Sequence, residues 1–177
     1  ETIEEVGVVV GSQEDELLTY RKFLEDGSSN FSQIITQSQL SLDLAGIKPI
    51  SRWITPKGGP RRYDTYFFIA QSHSSAIPRV DGKEAVEAFW ISPSDALKKW
   101  EAGEMTMISP TLATLQQLQT YANADEVFTV LDSKPSPENI RIVDESKALP
   151  LFPNDENYRA SYTWSALGWT WLPKKGQ

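Results

Sequence analysis

An α/β architecture, a mixed sheet flanked by helices, is the fold class this sequence predicts, and three observations predict it. Residues 62–71 form an aromatic run of strand character. Ser92-Pro93 and Ser109-Pro110 each place a capping serine before a proline, the signature of a helix start. From Glu14 to Glu25, Leu17, Tyr20 and Leu24 recur at helical spacing. The chain has 177 residues, 40% of them hydrophobic, enough for one core of ordinary size and for a single domain over 1–177.

Taken in order, Glu1 to Val6 reads as the last turns of a helix, stopped by Gly7 as a left-handed C-cap. Val8 to Val10 is a short buried strand by its β-branched run. The periodic segment 14–25 is one helix, closed by Asp26-Gly27, and Phe31 to Gln39 is a second, with Ser28 to Asn30 as cap candidates. Ile47 to Ile54 is a strand that Pro49 confines to an edge or makes irregular. Lys57 to Pro60 is a loop, and 62–71 is the strongest and most central strand. Glu84 to Ile91 is a further strand. The two Ser-Pro helices then run to about Ala102 and Ala122, and a short helix reaches Leu131. Pro-punctuated loops follow, with one or two aromatic strands between Tyr162 and Trp171. Their tryptophans cover a core edge in preference to forming a base-stacking platform.

Composition excludes several chemistries. There is no cysteine, so there is no disulfide, thiolate metal site or thiol nucleophile. The single His73 argues against a multi-histidine centre, and its Ser-rich turn points to the surface. No apolar run is long enough to span a bilayer. A net charge of −7 argues against nucleic-acid binding through bulk electrostatics. Charge is also segregated. Residues 1–26 hold eight acids against Arg21 and Lys22, whereas 52–62 carry Arg52, Lys57, Arg61 and Arg62 with no acid. That pattern fits cations at one place and an anionic ligand at another, or else two solvated faces.

On a helix, Glu1, Glu4 and Glu5 share one face while Ile3 and Val6 turn to the core. Three carboxylates side by side repel one another, and hard oxygen ligands in this number suit Mg²⁺ or Mn²⁺. Such a string alone is far more often a solvated face than a metal site. Glu1-Thr2-Ile3-Glu4-Glu5-Val6-Gly7-Val8 resembles the second half of the Nudix box, G-x5-E-x7-R-E-U-x-E-E-x-G-U, with Thr2 at its bulky apolar position. The first half of the box and the first strands of that fold lie outside this chain. Arg52-Trp53-Ile54-Thr55-Pro56, Arg61-Arg62-Tyr63-Asp64-Thr65-Tyr66-Phe67-Phe68 and Val86 to Pro93 resemble the subgroup related to the acyl-coenzyme A diphosphatases. So does a helical insertion over 12–46.

The resemblance implies metal-dependent hydrolysis of a diphosphate linkage, with coenzyme A or acyl-coenzyme A as leading substrate. Glu1, Glu4, Glu5 and Glu87 would hold Mg²⁺ or Mn²⁺, with Glu4, Glu5 and Glu87 as the catalytic set. Read from the residues alone, Glu87 is equally a solvent-facing strand position. Arg52, Arg61 and Arg62 would bind substrate phosphates through paired guanidinium hydrogen bonds. Read from the residues alone they are equally ordinary loop charges, or a pair with Asp64 that fixes the loop, which is the role preferred for Asp64. Trp53, Tyr63 and Phe67 are adenine-stacking candidates, at least one of them more naturally core. The partner is a small-molecule diphosphate, neither nucleic acid nor membrane. The resemblance also implies an intracellular protein, with mitochondria or peroxisomes as compartments; the closing Lys175-Gly176-Gln177 is unlike a Ser-Lys-Leu peroxisomal address. Two alternatives stay open: a Nudix-like binding or scaffold protein without turnover, and a diphosphatase of nucleotide sugars or dinucleotides.

Overall fold

The computed structural model describes residues 2–10, 14–55, 61–72, 76–144, 149–156, 158 and 167–175. The predicted loop Lys57 to Pro60, His73, Glu1 and residues 161–166 of the aromatic C-terminal stretch lie outside them. The chain divides into two compact units, one built from 1–47 and 70–90, the other from 48–69 and 91–177.

The first unit is helical. It contains α1 (Thr2–Val6), α2 (Glu14–Leu18), α3 (Arg21–Glu25) and α4 (Phe31–Ser38). Its core gathers Ile3, Val9, Leu17, Leu24, Ile34 and Leu40. The single helix expected over 14–25 is broken in two. At the break the backbone N–H groups of Thr19 and Tyr20 bond three residues back, and the Thr19 hydroxyl donates to the Glu16 carbonyl at 2.7 Å. A threonine side chain competing for a helix carbonyl tightens and ends a turn in this way. Asn30 caps α4 as expected. Its side chain accepts from Gln33 N–H, while the Gln33 side chain accepts from Asn30 N–H, both at 3.0 Å. Two expected strands do not form among the described residues. Val8 to Val10 joins no ladder, although Val9 is buried, and 84–91 is an irregular segment. Burial satisfied Val9 without a ladder. A β-branched run becomes a strand only where a partner supplies hydrogen bonds.

The second unit carries the sheet: β1 (Lys48–Ile54), β2 (Asp64–Ile69), β3 (Glu138–Asp144), β4 (Leu149–Leu151) and β5 (Gly168–Thr170). The order is β2-β1-β5-β3-β4, and each pairing is antiparallel. The helices α5 (Pro93–Glu101), α6 (Ser109–Leu118) and α7 (Ala124–Asp132) complete it, giving the expected class of sheet plus helices. Two placements differ from expectation. The aromatic strand β2 lies at the sheet edge rather than its centre, with Tyr66 and Phe68 exposed. The Pro49-containing β1 is interior, paired on both sides. Pro49 is tolerated because it stands at the start of β1, where the register shifts between Pro49 and Ser51. That irregularity also lets consecutive Ile50 and Ser51 both be buried. The strands β3 and β4 fall where loops are expected, since prolines at 135, 137 and 150 mask them.

The cap of α5 is the one the sequence predicts, the Ser92 side chain accepting from Asp95 N–H, and α7 is capped by Asn123, whose side chain accepts from Glu126 N–H. In α6 the cap falls on Ile108 instead, without a side-chain bond, and Ser109 is already helical. One sheet face packs on these helices in two clusters: Ile50, Tyr121, Val127, Leu131 and Leu172, then Trp53, Ala113, Ile140 and Phe152. Between them Gln117, fully buried on α6, donates its amide to Thr170 Oγ1 at 2.6 Å and to the Leu172 carbonyl.

Candidate active site

The acidic helix α1 is anchored on one side by Ile3, which buries into the core of the first unit while Glu4 and Glu5 stay only partly buried. At the other end Gly7 adopts φ +63°, its N–H bonding to the Ile3 carbonyl and Val8 N–H to the Thr2 carbonyl, both at 3.1 Å. The remaining carbonyls find partners from distant segments. Arg21 of α3 donates to the Glu4 carbonyl at 2.9 Å and is ion-paired with Glu25 at 2.5 Å. Asp81 N–H donates to the Glu5 carbonyl and Arg79 N–H to the Val6 carbonyl, both at 2.9 Å.

Gly7 is therefore required by its backbone. A side chain there would strain the left-handed conformation, and a Cβ would also push aside the far end of the Arg21 side chain. We expect Gly7→Ala to cost about 1–2 kcal/mol from the backbone alone, with displacement of Arg21 added, read as a lower thermal midpoint. Gly27→Ala is the comparison, also at positive φ (+69°) but with nothing within 4 Å of a Cβ.

The Asp81 and Arg79 bonds join α1 to the segment that carries Glu87. That segment is organised by Asp81, whose carboxylate accepts from the N–H groups of Lys83 at 3.1 Å, Glu84 at 3.3 Å and Ala85 at 3.0 Å. These bonds, that from Lys83 foremost, hold the Asp81 carboxyl below its ordinary pKa of 3.8. A depressed carboxylate pKa means that the contacts persist above the ordinary value and are lost as pH falls through the lowered one. The amide signals of Lys83 and Ala85 should accordingly hold steady down to about pH 4 and shift only below it, in an NMR titration. Glu87 itself is exposed on irregular backbone and not on a strand. Among the described residues no group of three acidic or histidine side chains is assembled that could hold a metal ion. Glu4 and Glu5 share α1, Glu87 lies on the segment bonded to that helix, and Glu1 is outside the described residues. Their oxygen chemistry suits a hard divalent cation.

The arginines belong to the second unit and do not behave alike. Arg52 of β1 faces away from the helices, and its Nε and Nη2 donate to the two Asp64 oxygens at 2.8 and 2.6 Å. The guanidinium lies over the Tyr66 and Trp169 rings, 5.2 and 5.7 Å from their centroids. This pairing lowers the Asp64 pKa and raises that of Arg52. Asp64 thus has the fixing role expected of it. Arg62 donates to the Thr55 carbonyl at 3.2 Å, and both Arg61 and Arg62 are exposed. Of the three aromatic candidates, Trp53 is core, its indole N–H on Ser51, Phe67 packs against both clusters, and Tyr63 is exposed. Sequence reasoning missed Arg21 and Asp81. The Asp81-Gly82 pair could have signalled the second, as a turn whose carboxylate caps the following amides; nothing local signals that Arg21 serves α1.

A capped acidic helix ending in glycine, followed by a sheet with an arginine-bearing strand pair, is the framework of a Nudix domain. The model of the NUDT19 Nudix domain matches residues 1–118, two thirds of the chain, and the chain belongs to that family. It is similar to the acyl-coenzyme A diphosphatase NUDT19 of Xenopus laevis, 24% identical over 123 residues, covering 67% of this chain and 32% of the relative. The Gallus gallus protein of that name is 25% identical over 117 residues, covering 63% and 31%. The Homo sapiens protein is 24% identical over 113 residues, covering 63% and 30%. The chain spans about a third of the length of these relatives. No solved structure matches it. No helix among the described residues is long and apolar enough to cross a membrane.

Proposed function

We propose that the protein is a metal-dependent diphosphatase acting on coenzyme A or its acyl thioesters, with residues 12–46 as an insertion in a single Nudix domain. The observation that carries this reading is the Glu4-Glu5 helix with its glycine stop, within a family match whose relatives bear the name acyl-coenzyme A diphosphatase. In the reaction a water oxygen bonds to one phosphorus, the bridging P–O bond breaks, and two phosphate monoesters leave with release of a proton. A diphosphate repels an incoming nucleophile because it is multiply charged. Mg²⁺ or Mn²⁺, when bound, neutralises that charge and acidifies water.

The chain's own residues have separable tasks. Glu4 and Glu5, with Glu1, supply hard oxygen donors from one helix face, and Glu87 adds a fourth carboxylate able to accept the water's proton. Arg21 and Gly7 hold the helix end that aims them. Arg61 and Arg62 read substrate phosphates. Arg52, already forked onto Asp64 through Nε and one hydrogen of Nη2, keeps the two hydrogens of Nη1 and the other of Nη2 for a phosphate and otherwise stiffens the strand pair. A basic, acid-free stretch suits a substrate with a phosphate beyond the scissile pair, and coenzyme A carries one at its 3′ position.

The test is to incubate the whole protein carrying this chain with Mg²⁺ or Mn²⁺ and coenzyme A, following adenosine 3′,5′-bisphosphate and the phosphopantetheine half by chromatography. Losing a charge-assisted contact costs about 1.5–3 kcal/mol. Arg61→Ala or Arg62→Ala should thus lower kcat/KM for coenzyme A by roughly 10- to 150-fold, and less for dephospho-coenzyme A. Equal loss on both substrates would remove the 3′-phosphate from these arginines. Binding without cleavage would favour a module without turnover. Cleavage of nucleotide sugars or dinucleotides in place of coenzyme A would keep the chemistry and change the substrate.

A further inference from the structure

Within the first unit lies a cavity of about 260 Å³ that none of the tasks above uses. Its wall is formed by Ile3, Val9, Leu17 and Leu24, all nearly or fully buried, and its rim includes Phe31 and Leu44. Two features distinguish it from a packing defect. It opens to solvent between apolar groups, Phe31 at 40% and Leu44 at 58% exposure, whereas a core void is closed. It also has one polar side, where Thr2 and Glu4 of α1 contribute to the lining. A ligand entering it would place apolar atoms against the 17–44 segment while its opposite end reaches the acidic helix.

We infer that this cavity receives the acyl chain of the substrate, so that the helical insertion sets chain-length preference. The inference rests on the coenzyme A reading above for the head group, and on the cavity for the tail. A 150 Å³ cavity lined by Leu, Ile and Phe accommodates benzene, with six carbons, so one of this size takes about ten carbons by proportion. The arm between the diphosphate and the thioester is flexible and can turn the chain back toward α1. Coenzyme A itself would leave the cavity empty, and acyl thioesters up to about ten carbons would fill it progressively.

Calorimetric titration of coenzyme A and of its hexanoyl, octanoyl, decanoyl and hexadecanoyl thioesters into the protein, without added metal, tests this directly. Affinity should rise about fourfold per methylene up to about ten carbons and then level off. Leu44→Ser and Phe31→Ser, both at exposed rim positions and therefore not expected to unfold the unit, should flatten the rise while leaving coenzyme A affinity unchanged. Val86→Ser, an exposed apolar position outside the cavity, should leave the rise intact. A rise unaffected by the rim variants, or no rise at all, overturns the inference. If coenzyme A and every thioester fail to bind, the head-group reading is what has failed. Decanoylcarnitine, which carries the chain without a diphosphate, then decides the cavity alone: binding lost in Leu44→Ser upholds it, and no binding overturns it.

Discussion

Replacing both Glu4 and Glu5 by glutamine should abolish most divalent-ion affinity and lower kcat/KM for coenzyme A by about a thousandfold, equivalent to roughly 4 kcal/mol of lost charge stabilisation. The two substitutions keep the shape and helix compatibility of the side chains and remove only charge and donor strength, so α1 should survive them. Calorimetric titration of Mg²⁺ or Mn²⁺ into the native protein and the double variant reads the ion directly, and circular dichroism checks that the helices persist. Equal affinities would take these carboxylates out of the metal site altogether. Glu87→Gln belongs in the same series. As a proton acceptor it would leave ion affinity nearly intact while depressing kcat, and as a ligand it would lower both.

The largest effect on stability should come from Phe152→Ala, at about 3–5 kcal/mol. Phe152 is 2% exposed and packs with Trp53, Ala113 and Ile140, joining β1, α6 and β3 in one cluster. Its surroundings are poorly able to collapse around a cavity. The Phe152 N–H is bonded to Asp155 at 2.9 Å, Asp155 is paired with Lys174 at 2.8 Å, and the Lys174 ammonium sits 5.2 Å from the Phe152 ring centroid. Removing the ring leaves that ammonium without its aromatic face and the cluster without one of its two buried aromatic rings. Urea unfolding with fluorescence detection should show a lower midpoint with little change in slope. Phe68→Ala, at a position 60% exposed on β2, should remain within about 0.5 kcal/mol.

What could be read in the sequence divides along physical lines. Helix starts and stops were legible because they are local. The side chains of Ser92 and Asn30 cap helices as expected, and Gly7, Gly27 and Gly103 all take positive φ where a helix ends. Strand placement was not legible, because a strand is defined by its neighbour. Residues 62–71 have the composition of a central strand, yet Asp64–Ile69 has one partner, and Glu84 to Ile91 has none among the described residues. Conversely, β3 pairs with both β4 and β5 despite prolines that suggest loops. At the candidate site the carboxylates and arginines were visible as charge patterns. Arg21 was not, since it serves a carbonyl far away in the chain, and of Asp81 only the local turn was open to reading, its N–H bond to Glu5 being long-range.

The hydrogen bond between Asp81 N–H and the Glu5 carbonyl has a consequence for the order in which the protein is built. The unit containing α1 is discontinuous, its second piece following the β1–β2 pair. During synthesis residues 2–6 therefore emerge well before residues 79–81 exist to tie off their last carbonyls. The β1–β2 hairpin, being local, can form in the interval, and closing the intervening loop costs chain entropy before those carbonyls gain their partners. The bonds that finish the end of the acidic helix are thus made only after the strand pair that separates the two pieces of its unit.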